Sequence, residues 1–313
     1  MPALQLEIQL MPALGPEIRG SLPVSDLSVI IPAYNEEPAI GTVIEGVHRI
    51  LRKLGIRGEV IVVDDGSTDA TAEIARSKGV FVVPHGANKG YGASLKTGVE
   101  RSRHETLMII DGDGTYSPED IATLLEGYDG EDMIVGTRDG QEASLPRLRR
   151  LAKKSLRALA GYFTGVRIPD LNSGMRLLKK DAVLEYLDLL PSGFSFTSTI
   201  TLALLKHGHG VRFVPIRYLP RRDGSKFLPH RETLRIFRQI LRTMFRLDPR
   251  KIILHLAVLF LVPGSLLTVY QAVVRGKVAA VPLLIALAGL MIGLIGFRVG
   301  RSAFKAQSRR SIS

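Results

Sequence analysis

Hydrophobic and polar positions change rhythm along this chain. Between Leu27 and Gly136 short, β-branched runs recur: Leu27–Pro32 (LSVIIP), Glu59–Asp64 (EVIVVD), Val80–Val83, Thr106–Ile110 and Met133–Gly136. Nearly continuous apolar runs of this length predict strands buried on both faces. The stretches between them, among them Ala39–Leu54, Asp69–Lys78 and Ala93–Arg101, have helical spacing. Another helix is expected where Ser117 can cap, Pro118 fits the first helical position, and Glu119 and Asp120 complement the dipole. Strand alternating with helix predicts an α/β domain with a mostly parallel sheet covered by helices.

Past Gly140 the rhythm loosens. Leu145–Phe163 reads as a basic amphipathic helix, Gly174–Leu178 as a short strand, Phe196–His207 as a helix, and Val211–Tyr218 as a half-exposed strand closing the domain. In Arg231–Leu247, Leu234, Phe237, Leu241 and Phe245 recur at helical spacing opposite Arg231, Arg235, Arg238, Arg242 and Arg246. A basic amphipathic helix beside an apolar segment predicts a helix lying in a membrane interface.

Two apolar segments follow, Ile252–Val274 and Val278–Phe297, joined by Arg275-Gly276-Lys277. Each approaches the ~20 residues that span a bilayer, and apolarity all round a helix points to lipid. So short a turn makes the pair an antiparallel transmembrane hairpin with both ends on one side. Arg298, Arg301, Lys305, Arg309 and Arg310 add positive charge to that side, which places the α/β domain in the cytoplasm of a cell-membrane protein with two spans. The expected organisation is an extension over residues 1–26, an α/β domain over 27–230, an interfacial helix over 231–250, a hairpin over 251–298 and a basic tail over 299–313. The extension has no basic start followed by an apolar run, so no signal peptide is expected.

Composition narrows the partners. The 313 residues carry a formal charge of +12, which suits either nucleic acid or anionic lipid. Basic residues collect at Arg147–Arg157 and from Arg217 to Lys251, directly before the apolar region. That position favours anionic membrane lipids, and the Arg147–Arg157 face has almost no interleaved aromatics, so no nucleic-acid partner is expected. There is no cysteine, which excludes disulfides and thiolate chemistry. His207 and His209 flank Gly208 in an exposed turn, His85 and His104 stand singly, and no histidine pair has convincing ligand spacing.

The chemistry gathers at strand ends. Pro32-Ala33-Tyr34-Asn35-Glu36 follows the first strand, Asp64-Asp65-Gly66-Ser67 the second, and Asp111-Gly112-Asp113 a later one. Ligands of open α/β sheets bind beyond the carboxyl ends of the strands. Asp111 and Asp113, spaced around a glycine, can both reach Mg²⁺ or Mn²⁺, cations that prefer a few carboxylates plus substrate phosphates. A nucleotide diphosphate fits such a site, with Asp65 and Glu36 able to accept hydrogen bonds from base or ribose. Asn88-Lys89-Gly90-Tyr91-Gly92 supplies a flexible loop with a cation, and no GxxxxGK[ST] loop is present.

The ordered motifs VIIPAYNEE, VVDDGSTDAT, NKGYGAS, IIDGDGTYSPED and LNSGMRLLKKD, from about Ser28 to Lys180, resemble family 2 glycosyltransferases with the GT-A fold. Within that family, Arg221-x-x-x-Ser225-Lys226 and the C-terminal hairpin resemble the polyprenol-phosphate (dolichol-phosphate) sugar synthases. The resemblance implies that Pro32, Tyr34, Asn35, Glu36, Val63, Asp65 and Gly66 hold the nucleotide, with Lys89 and Gly112 beside it. It implies that Asp111 and Asp113 bind metal and donor phosphates, that Arg138 lines the donor site, and that Arg221 and Lys226 meet phosphate. The chain departs from these synthases at Thr115, where many carry Gln, and at Asp223, where Gly is usual. It also lacks acidic residues in Phe196–Thr201, where many relatives have them.

That last departure bears on the acceptor. A hydroxyl acceptor must lose a proton to a positioned base, whereas a lipid phosphate is already anionic and needs cations and alignment. The sequence therefore predicts an inverting, metal-dependent transfer of a hexose from a nucleotide-diphosphate sugar to polyprenyl phosphate at the cytoplasmic face. One alternative keeps the fold and takes a hydroxyl of a lipid-linked saccharide or glycolipid, with Asp170 as the base. Another is a non-catalytic, membrane-anchored binding subunit.

Overall fold

A computed structural model describes residues 24–126, 128–138, 147–219, 229–275 and 280–293. The chain divides into two compact units, Met1–Ile240 and Leu241–Ser313. In the first, strands β1 (Asp26–Ala33), β2 (Arg57–Asp64), β3 (Phe81–Pro84), β4 (Thr106–Ile109), β5 (Met133–Arg138), β6 (Arg176–Lys179) and β7 (Val211–Ile216) make one sheet ordered β3-β2-β1-β4-β6-β5-β7. All pairings are parallel except those of β6, which runs antiparallel to β4 and β5. The connecting helices are α1 (Glu37–Leu54), α2 (Thr71–Ser77), α3 (Tyr91–Arg101), α4 (Asp120–Leu125), α5 (Arg147–Thr164), α6 (Lys180–Leu184) and α7 (Phe196–Lys206).

Central strands are buried as their continuous apolarity requires: Val29, Ile30, Ile31, Ile61, Val62 and Val63 have no exposed surface. Each such side chain stabilises the fold by ~1.5–3 kcal/mol. Helix α1 lays Ile40, Val43, Ile44, Val47 and Leu51 against them, begins with Glu37 and Pro38, and ends at Gly55 in a left-handed conformation (φ 67°). Strands β2 and β4 flank β1 on opposite sides, so the order reverses at β1 and opens a crevice beyond its carboxyl end.

Some expectations are corrected. The Val80–Val83 run is not buried on both faces; β3 is a sheet edge and exposes 54% of Phe81. Ser117 does not cap α4 with its side chain but donates to Glu119, and the helix begins at Asp120. The half-exposed strand predicted near Val211 is β7, the opposite edge.

Helix α8 (Pro229–Leu247) is followed by α9 (Pro249–Arg275). On α8, Ile240, Thr243 and Met244 are buried, while Phe237, Leu241 and Phe245 are 42%, 38% and 49% exposed. Exposed Arg238, Arg242 and Arg246 adjoin that apolar ridge rather than opposing it. Helical geometry gives the reason: each arginine lies one residue, about 100°, beyond a ridge residue. The side chains of Arg231, Leu234 and Arg235 lie outside the described residues.

In the second unit α9 has 27 residues, about 40 Å at 1.5 Å each against a hydrocarbon core of about 30 Å. Leu266 and Val273 are 67% and 78% exposed, as lipid-facing residues would be. The second apolar helix, α10 (Ala280–Gly293), lies antiparallel to α9. Gly264 abuts Ala286, Gly289 abuts Leu261 and Ala257, and Gly293 abuts Ala257; small residues let the backbones approach. Among the described residues only α9 is long and apolar enough to cross a membrane. The outer residues of the expected 278–297 span lie outside the described residues, as does the basic tail.

Candidate active site

The three acidic strand ends meet at the crevice. The loop after β1 is stitched to the loop after β2: Asn35 N–H donates to Ser67 Oγ (3.0 Å), Asn35 Oδ1 accepts Thr68 N–H (2.8 Å), and Glu36 N–H donates to Thr71 Oγ1 (2.8 Å). Asn35 adopts φ 53° to make this turn, a conformation asparagine tolerates. Its side chain therefore organises the loop, while Tyr34 is 39% exposed beside it. Val63 is buried and registers with Pro32 across the β1–β2 ladder.

Asp65 is turned inward. It is 3% exposed and accepts Lys89 N–H (2.9 Å), Gly90 N–H (2.8 Å) and a hydrogen bond shared with His85 Nδ1 (2.7 Å). His85 Nε2 reaches Thr97 Oγ1 at 3.0 Å. His85, expected to stand alone, is thus buried in a network, and with Gly66 (φ 77°) close against Ala87 and Asn88 it fixes the loop that carries exposed Lys89.

The acidic turn sits at the end of β4. A side chain on Gly112 would crowd Pro32 O and Ile40, and one on Gly174 would strike the Asp111 carboxylate. Tyr91 hydroxyl donates to Asp111 Oδ1 at 2.8 Å, and Asp113 Oδ1 accepts Thr115 N–H (3.0 Å) and its hydroxyl (2.6 Å). Burial, and then the charge of Asp113, push Asp111 up to about 7, with Glu36 adding to the same field. Among the described residues no group of three or more His, Cys, Asp or Glu is arranged to hold a metal. Two hard, mutually repelling carboxylates open to a crevice nevertheless fit Mg²⁺ or Mn²⁺ completed by substrate phosphates.

Beyond β4 the sign of charge reverses. Arg138, at the end of β5, makes a two-point pair with Asp170 (Nε to Oδ2 2.7 Å, Nη2 to Oδ1 3.0 Å) and lies over the Tyr218 ring. Burial alone would raise Asp170, but the Arg138 hydrogen bonds and charge outweigh it and hold the carboxyl below its ordinary range. Arg138 also borders a cavity of about 780 Å³ lined by Lys153, Lys154, Arg157 and Arg167; among the described residues Asp170 is its one lining carboxylate. Beneath, fully buried Arg176 donates to the carbonyls of Leu171 and Ser173 and to Thr201 Oγ1. Burial pushes its guanidinium down to about 10. Tyr116 accepts Gly174 N–H at 2.7 Å and packs edge-on to Tyr218, so this layer positions Gly174 against Asp111.

Thus Pro32, Glu36, Asp111, Gly112 and Asp113 share one crevice, Asp65 stands behind it, and Arg138 marks its basic side. Sequence reasoning missed the roles of His85, Tyr91, Tyr116 and Arg176; of these only His85 lay outside the quoted motifs. His209, expected in an exposed turn, is held instead by Asp132 (3.1 Å). Arg221, Asp223 and Lys226 lie outside the described residues; the chain before them is tied to the site by Leu219 N–H donating to Thr115 O (2.8 Å).

Comparison with known proteins identifies the family and the fold. Residues 28–187 match the glycosyl transferase family 2 model. The chain is 32% identical over 206 residues to a dolichyl-phosphate hexose transferase of Haloferax volcanii, covering 65% of this chain and 87% of that one. It is 29% identical over 218 residues to a polyprenol monophosphomannose synthase of Mycolicibacterium smegmatis, covering 64% and 80%. Crystalline glucosyl-3-phosphoglycerate synthase from Mycobacterium tuberculosis, solved with Mn²⁺, UDP and phosphoglyceric acid, superposes with a TM-score of 0.57 at 20% identity, covering 71% and 78%. The fold is of the GT-A type. The chain belongs to glycosyl transferase family 2 and is a glycosyltransferase.

Proposed function

We propose that this family 2 glycosyltransferase moves a hexose, with inversion, from a nucleotide-diphosphate sugar to a polyprenyl phosphate at the cytoplasmic membrane face. The observation that carries the acceptor is the charge reversal at β4: carboxylates on one side, the Arg138 cavity on the other. Relatives named as dolichyl- and polyprenol-phosphate transferases support the same reading.

Pro32, Tyr34, Asn35, Glu36, Val63, Asp65 and Gly66 frame the nucleotide, with Lys89 near its phosphates. Asp111 and Asp113 hold Mg²⁺ or Mn²⁺, which when bound supplies Lewis-acid neutralisation of the leaving diphosphate. The lysines of α5 dock the acceptor phosphate, joined from outside the described residues by Arg221 and Lys226, while Arg138, paired with Asp170, lines the donor site beside them. One acceptor oxygen attacks the anomeric carbon in line. The bond from that carbon to the donor's diphosphate breaks, and the nucleoside diphosphate departs with the electron pair. No proton is removed from the acceptor, so no base is required. Asp170, the candidate base for a hydroxyl acceptor, is committed to Arg138 through both oxygens. Anionic lipids would hold the Arg-flanked ridge of α8 at the membrane.

Purified full-length protein given a panel of radiolabelled uridine and guanosine diphosphate sugars, with polyprenyl phosphate or a lipid-linked saccharide, tests this. A mild-acid-labile lipid product is expected; an acid-stable product would overturn the phosphate acceptor.

A further inference from the structure

Tyr91 has no part in the transfer as described, yet it joins both ends of the donor site. The residue before it, Gly90, has its N–H on Asp65 Oδ2 (2.8 Å), and Lys89 N–H is on Asp65 Oδ1 (2.9 Å). Asp65 is itself clamped by buried His85. From that fixed start Tyr91 opens α3 and sends its hydroxyl to Asp111 Oδ1 at 2.8 Å. Its ring stacks on Phe194 at 5.4 Å and 16°. Gly90 and Gly92 have no room for a side chain against the backbone of residues 191–193, and Ala93 N–H donates to Ser192 O at 3.0 Å. Tyr91 is therefore gripped on both sides, and its hydroxyl has one defined destination.

We infer that Tyr91 is a positioning residue: it transmits the Asp65–His85 clamp to Asp111 and fixes the orientation in which that carboxylate receives a divalent cation. This rests on the proposed role of Asp111 and Asp113 as metal ligands. A carboxylate free to rotate presents its oxygens in many directions; a hydroxyl held on one oxygen aims the other, as outer partners of metal ligands commonly do. Removing such partners typically weakens metal binding by roughly 10–100-fold. Because the hydroxyl is placed by the Lys89–Gly90 backbone, loosening His85 should harm the same step, and the two losses should not add.

The test is Mn²⁺ binding by the full-length protein in detergent, followed by electron paramagnetic resonance, with thermal unfolding of the metal-free protein alongside. Tyr91→Phe keeps the stacked ring and removes only the hydroxyl. It should weaken Mn²⁺ binding about tenfold with unfolding unchanged. His85→Gln should weaken Mn²⁺ similarly, and the double variant should be no weaker than about the worse single one. Unchanged or tighter Mn²⁺ binding by Tyr91→Phe would overturn the inference, as would strictly additive losses. Asp113→Asn separates the layers. If it loses Mn²⁺ while Tyr91→Phe does not, this inference alone fails; if it binds Mn²⁺ like the parent, the metal site and the inference fail together.

Discussion

The two halves of the sheet beyond β1 handle charge in opposite ways. On the β2–β1–β4 side carboxylates gather: burial, and then the charge of Asp113, make Asp111 hold its proton to about 7. On the β5 side, Arg138 pairs with Asp170, and Lys153, Lys154, Arg157 and Arg167 line the cavity beside them. On the proposed reading, the acidic half receives a cation with an anionic donor and the basic half receives an anion directly. Gly174, pressed against Asp111, marks where the two meet.

Four perturbations would break or sharpen that contrast. The largest effect belongs to Asp113→Ala, which should lower kcat about a thousandfold if charge neutralisation contributes the several kcal/mol usual for a Lewis acid. Full transfer at saturating Mg²⁺ or Mn²⁺ would remove the acidic half from the chemistry. Arg138→Ala should destabilise the catalytic unit by ~3–5 kcal/mol, because it strands the Asp170 charge. Chemical denaturation should show most of that loss recovered in the Arg138→Ala, Asp170→Ala double variant.

The third concerns pH. The Asp111 carboxyl titrates near 7 in the metal-free fold against an ordinary 3.8, and a metal binds its ionised form. Mn²⁺ affinity should therefore fall about tenfold per unit below pH 7 and level off above it. For metal-free protein the same shift works on stability with a defined sign. The native state binds the proton more tightly than the unfolded chain, so this contribution is full below about pH 4 and is lost as pH rises through 7. Calorimetry at pH 6 and 8 reads both. The smallest effect is expected from Lys153→Ala, which should raise KM for the lipid phosphate about fivefold, in line with the ~1 kcal/mol of one exposed charged contact. KM for the nucleotide sugar should not move; if it moves equally, the cavity does not belong to the acceptor.

Much of the acidic half was legible because its residues follow strands whose apolar runs are unmistakable, and strand ends in a parallel sheet converge. The partners of those residues were not. His85 reaches Asp65 across twenty residues, and Arg176 is a cation buried among carbonyls, a placement no local pattern announces. The turn chemistry at Ser117 misled for a related reason: Glu119 competes for the hydroxyl that would have capped the helix. The apolar ridge of α8 followed from its periodicity, but the position of its arginines beside that ridge needed the helix wheel set against burial.

The most direct test of the charge reversal is ³¹P nuclear magnetic resonance of one reaction: full-length protein, Mn²⁺, a turning-over nucleotide sugar and a short-chain polyprenyl phosphate. The acceptor's phosphomonoester signal should disappear as a phosphodiester and free nucleoside diphosphate grow together. Release of nucleoside diphosphate with the phosphomonoester signal intact, and the sugar found on a hydroxyl, would contradict the account.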